Sequence, residues 1–92
     1  MPFRSTDIAR LLEHKFHFEA KENDHLFFYR AFPGDVRIRT KVSHGNKSIG
    51  RKLESLMARQ VRVPKDMFQG MFRCTVRNED YEDHIAKRQR SP

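Results

Sequence analysis

The residues best suited to chemistry lie close together in the first half of the chain. His25 heads the aromatic run Leu26, Phe27, Phe28 and Tyr29 in the segment NDHLFFYR, and the segment VRIRTKV sets Arg37, Arg39 and Lys41 at alternate positions. Histidine gives and takes a proton near neutral pH. Arginine and lysine hold phosphate oxygens, and an exposed aromatic ring stacks on an unpaired base for about 1–3 kcal/mol. The combination points towards the nucleic-acid backbone. A plainer use of the same residues stands beside it: a histidine at the start of a strand is ordinarily structural, and a basic row is ordinarily a solvated face.

The distribution of charge favours the first use. The chain has 92 residues and a net charge of +7. Residues 37–62 hold eight basic residues against Glu54 alone, whereas the segments on either side are nearly balanced. A basic excess confined to one stretch is what a phosphate-binding surface looks like in sequence.

Other reactive types offer less. His14 and His17 have an H-x-x-H spacing but straddle a break between helix and strand without further ligands, so neither metal nor other cofactor is expected. His84 reads as a surface residue among carboxylates. Cys74, the single cysteine, has no histidine to activate it and reads as packing. Met57, Met67 and Met71 read as core filling. One cysteine permits no internal disulfide, MPFRSTDI has no apolar signal region, and no apolar run nears the roughly 20 residues of a membrane span. A cytoplasmic protein with no membrane partner is expected.

The elements that must position these residues follow from period. Ser5 reads as the cap of a helix reaching about His14, with Ile8, Leu11 and Leu12 at helical spacing. FHFEAK, residues 16–21, alternates Phe16, Phe18 and Ala20 against His17, Glu19 and Lys21 and reads as a strand. A turn at Glu22, Asn23 and Asp24 leads to a second strand over 25–32. Pro33-Gly34-Asp35 makes the next turn, and 36–42 form a third strand with Val36, Ile38, Thr40 and Val42 on one face. Ser48 reads as the cap of a second helix with Ile49, Leu53, Leu56 and Met57 on its apolar stripe. Pro64 opens a short third helix carrying Met67, Phe68, Met71 and Phe72, and Asn78 caps a fourth. Arg90-Ser91-Pro92 reads as frayed.

This order predicts an α+β sandwich, two helices on one face of a three-stranded antiparallel sheet with the other face open. Arg37, Arg39 and Lys41 belong to the open face. In the second strand either His25, Phe27 and Tyr29 share that face, or Leu26, Phe28, Arg30 and Phe32 do. An arginine beneath two helices is awkward, and Arg30 is expected to avoid that place. The arrangement with His25, Phe27 and Tyr29 on the open face is favoured.

DIARLLEH, the histidine-led strand DHLFFY, the basic strand VRIRTKV, HGNK at 44–47 and the helix SIGRKLESLMARQ, followed by VPKDMF, together resemble HicA-type toxins of toxin–antitoxin pairs. The resemblance runs from Ser5 to Phe68, with Asn23-Asp24 where the family usually has Gly-Ser. It implies an α-β-β-β-α fold like that of double-stranded RNA-binding domains over residues 1–68, with 69–92 as a helical C-terminal extension of the same domain. It also implies cleavage or binding of mRNA, a HicB-like antitoxin as partner, and His25 at the catalytic position.

RNA carries its own nucleophile in the 2′-hydroxyl, so its cleavage needs a base, an acid and cations for the phosphorane rather than a metal. On this reading His25 is the base and His44 the candidate second acid or base. Arg37, Arg39, Lys41, Lys47, Arg51 and Lys52 contact RNA, and Phe27 or Tyr29 stacks on a base. The expected function is a metal-independent mRNA endoribonuclease. The alternatives are a catalytically silent RNA-binding module on the same fold, or a DNA- or protein-binding domain using the basic helix 48–60. Phe68 and Phe72 are a candidate surface for the antitoxin or for a second copy in a homo-dimer.

Overall fold

The computed structural model describes residues 3–22, 24–42, 48–73 and 75–90. It is a mixed α+β fold: α1 (Ser5–His14), β1 (Glu19–Glu22), β2 (Leu26–Phe32), β3 (Val36–Val42), α2 (Arg51–Gln60), α3 (Lys65–Met71) and α4 (Asn78–Arg90). The sheet is antiparallel in the order β1-β2-β3.

Most elements lie where their periodicity puts them, and the differences concern ends. Arg4, not Ser5, occupies the cap of α1, while Ser5 is helical and buried. The first strand begins at Glu19 rather than Phe16 because His17 has a left-handed backbone (φ 57°), which interrupts an extended run. Phe16 and Phe18 nevertheless both enter the core, as their alternation implies. The second helix is capped by Gly50 rather than Ser48. Ser48 instead bridges to Arg4, and the Ile49 amide donates to the Phe3 carbonyl at 2.8 Å. Leu56, expected on the buried stripe, is 44% exposed, and Met57, Ala58 and Glu54 face inwards. The Glu54 carboxylate accepts a hydrogen bond from Gln69 Nε2 at 2.6 Å, which satisfies it in that setting. Pro64 is the cap of α3, not its first residue. α4 continues through Arg90, while Ser91 and Pro92, read as frayed with it, lie outside the described residues.

The core lies between one sheet face and the helices. Phe28, Phe32, Ile38 and Val42 share one buried cluster with Ile8 and Leu12 of α1, Met57 and Ala58 of α2, and Phe68 and Met71 of α3, and Thr40 is buried on the same sheet face. Phe68 and Phe72 are therefore buried, their rings 4.8 Å apart edge to face, and cannot serve as a partner surface. α4 belongs to the same core through Tyr81 and Ile85. The Tyr81 ring packs edge-on against Phe16 and Phe32 and stacks on Phe18. Its hydroxyl donates to the Val61 carbonyl at 3.0 Å. Burial raises the Tyr81 phenol above its ordinary range, against the opposing fields of Arg30 and Arg62, and keeps it a donor.

Arg30 lies on the helix side of β2, so the expectation that it avoids that side is corrected. It sits beneath α4, 11% exposed at its side chain. Its Nη1 donates to the Phe16 carbonyl and to Asn78 Oδ1, each at 2.6 Å, and its Nη2 donates to Glu82 Oε2. The guanidinium also lies 4.4 Å above the Phe32 ring centroid. A helix from the far end of the chain thus supplies two of the three partners that make a largely covered arginine tolerable.

Candidate nucleic-acid interface

The pairing register determines which side chains share the open face. Phe27 stands opposite Lys41, Tyr29 opposite Arg39 and Ala31 opposite Arg37 across β2 and β3. On the other side Lys21 stands opposite Phe27, and Glu19 opposite Tyr29. Because successive strand residues point to opposite faces, the inward Phe28, Ile38, Thr40 and Val42 leave Phe27, Tyr29, Arg37, Arg39 and Lys41 together on the outer one.

His25 occupies the bend just before β2 and continues this line. Its ring meets Phe27 edge to face at a centroid distance of 6.3 Å, and Phe27 is stacked with Tyr29, also at 6.3 Å. The result is a ladder of three rings running along β2. All three are partly exposed, whereas Arg37, Arg39 and Lys41 on the adjacent strand stand out into solvent. Lys21 Nζ lies 5.5 Å above the Tyr29 ring, a cation on an aromatic face. Lys21 adds to the predicted set, and its place opposite Phe16, Phe18 and Ala20 in the alternation is the signal that locates it.

A groove of about 430 Å3 opens at one end of this face, lined by Glu19, Tyr29, Ala31, Arg37 and Arg39 together with Arg30 and Ile38. Glu19 is its acidic wall, and Asp35 lies 3.6 Å from Arg37 in an exposed ion pair of little energetic weight. His25, Phe27 and Lys41 lie outside the groove, farther along the strands.

The face can hold a flexible anionic chain with flat substituents. Cations along β3 and Lys21 on β1 flank the rings, so a polyanion can follow the strands while its bases lie on Phe27 and Tyr29. Arg51 and Lys52, expected to join this surface, are exposed at the start of α2 and so lie in the helix layer, behind the sheet. α2 is tied to the inward face by the bond from Thr40 Oγ1 to Gln60 Oε1 at 2.7 Å. His44, Lys47 and Cys74 fall outside the described residues. No family model, curated protein or solved structure matches the chain.

Proposed function

We propose that the open sheet face binds single-stranded RNA and that His25 cleaves the bound strand, the activity of a HicA-type toxin restrained by a HicB-like antitoxin. The observation that supports this most is the ladder His25–Phe27–Tyr29 beside the row Arg37–Arg39–Lys41. The order α1-β1-β2-β3-α2 is also that of a double-stranded RNA-binding-like sandwich, to which α3 and α4 are added.

In this reading the rings hold two neighbouring bases and the β3 cations hold the phosphate between them and those on either side. His25, at the end of the ladder, takes the proton from a 2′-hydroxyl. The freed oxygen attacks the adjacent phosphorus, and the bond from phosphorus to the 5′-oxygen breaks. That oxygen leaves with a proton from water or from a second acid, for which His44 is the candidate. The products are a 2′,3′-cyclic phosphate and a 5′-hydroxyl, and the row of cations stabilises the charge that builds on phosphorus.

A second reading keeps the binding without the cleavage. It is favoured by the surroundings of His25, whose ring meets Phe27 while the acidic Asp24 precedes it. One experiment separates the two: purified protein and His25→Ala are incubated with unstructured RNA in EDTA. Cleavage by the wild type alone, with a cyclic-phosphate end, supports the nuclease. Binding by both proteins with cleavage by neither leaves the silent module, and equal cleavage by both removes His25 from the chemistry.

A further inference from the structure

A second basic site lies in the helix layer, at the turn that ends α2. Arg59, Arg62, Val63, Pro64, His84 and Arg88 line a cleft of about 260 Å3 there. A neighbouring hollow of about 150 Å3 shares Arg62 and Arg88 with it and reaches Val36 at the start of β3. The three arginines are exposed, and none forms an ion pair with a described residue.

The backbone at this turn is unusual for its sequence. The Arg62 amide donates to the Arg59 carbonyl at 3.1 Å and the Val63 amide to the Ala58 carbonyl at 3.0 Å. This is the Schellman pattern, in which the residue after the cap takes a left-handed conformation and is usually glycine. Here it is Arg62, with φ 66°. A side chain kept where its absence would relieve the backbone points to a use for that side chain. The turn is also held from above by α4. Tyr81 bonds the Val61 carbonyl, and His84 Nε2 bonds the Arg62 carbonyl at 3.1 Å. Arg62 is thereby kept in the same cleft as Arg59, which precedes it, and Arg88 of α4.

Resting on the RNA-binding reading of the open face, we infer that this cleft takes backbone phosphates of the same RNA strand after it passes the end of the sheet. Val36 and Arg37 are consecutive, yet Val36 borders the hollow that shares Arg62 and Arg88 with the arginine cleft, and Arg37 borders the groove on the open face. The two basic sites therefore meet at the start of β3, and a strand leaving the groove there reaches guanidinium forks suited to phosphate.

The test is a double variant, Arg62→Gly with Arg88→Gln, measured against 2′-fluoro RNA, which lacks the attacking hydroxyl. Glycine suits the left-handed position, so thermal stability should match or exceed that of the wild type. Oligonucleotides of about 4 and about 16 nucleotides, the range of site sizes for single-strand binders, distinguish the two sites. The inference predicts about tenfold weaker binding of the longer oligonucleotide, the scale of one or two charge-assisted hydrogen bonds. It also predicts a salt dependence shallower by roughly 1.4, or about 0.7 for each phosphate that the arginines no longer neutralise. Binding of the shorter one should be unchanged. Wild-type affinity and salt dependence for the longer oligonucleotide would overturn the inference and leave the open-face reading standing. Equal weakening of both lengths would overturn the proposed path. Failure of the wild type to bind either would overturn the open-face reading and this one with it.

Discussion

Replacing Arg30 by methionine tests whether α4 is fastened to the sheet as the structure describes. The guanidinium is 11% exposed at its side chain and satisfies the Phe16 carbonyl, Asn78 Oδ1 and Glu82 Oε2 at once. Methionine keeps most of the apolar bulk but leaves the first two acceptors without that donor. An unsatisfied buried acceptor costs about 1–3 kcal/mol. Glu82 adds less, because its side chain is 48% exposed and water can take the place of the arginine. Methionine recovers part of the loss through packing against Phe32. The net expectation is about 3 kcal/mol, which for a domain of this size lowers the melting temperature by about 12–24 °C. Urea denaturation followed by circular dichroism reads the change directly. Arg37→Met, at an exposed position, should change stability by less than about 0.5 kcal/mol. If Arg30→Met proves as mild as Arg37→Met, the Arg30 network does not hold α4 and the reasoning from its buried acceptors is refuted.

Two further substitutions probe the packing around that network. At Gly70 an added Cβ would lie 2.7 Å from both Thr75 Oγ1 and Val76 Cγ2, so Gly70→Ala should destabilise by about 1–3 kcal/mol in a urea titration; an unchanged midpoint would show that the 75–76 segment yields freely. Tyr81→Phe removes the donor to the Val61 carbonyl while keeping the ring contacts, and a loss of about 1–2 kcal/mol is expected. A neutral result would mean that the hydroxyl contributes nothing to holding the α2–α3 turn.

Much of this architecture is legible in the sequence because the informative patterns are local. VRIRTKV alternates without interruption, and β3 has the predicted limits and the predicted inward and outward residues. The same alternation places Phe27 and Tyr29 beside the basic row once one face of β2 is chosen. Arg30 is harder, since its partners Asn78 and Glu82 lie 48 and 52 residues away and no short window of sequence contains both ends of that network. The onset of β1 is hidden for a local reason: FHF has strand-like alternation, but His17 takes a left-handed backbone that alternation does not reveal. Arg62 is a similar case, because a Schellman turn is normally signalled by glycine and here carries arginine. The expectation that Arg51 and Lys52 bind RNA rests on charge alone, and charge does not say which layer a helix occupies.

Whether RNA lies on Phe27 and Tyr29 is read from the binding of an unstructured 2′-fluoro RNA to the wild type and to Phe27→Ala and Tyr29→Ala. Both rings are partly exposed on the open face, so the variants should keep most of the wild-type stability. Each should lose about 1–3 kcal/mol of binding, roughly 5- to 150-fold in affinity. Wild-type affinity in both variants would show that the RNA does not lie on these rings.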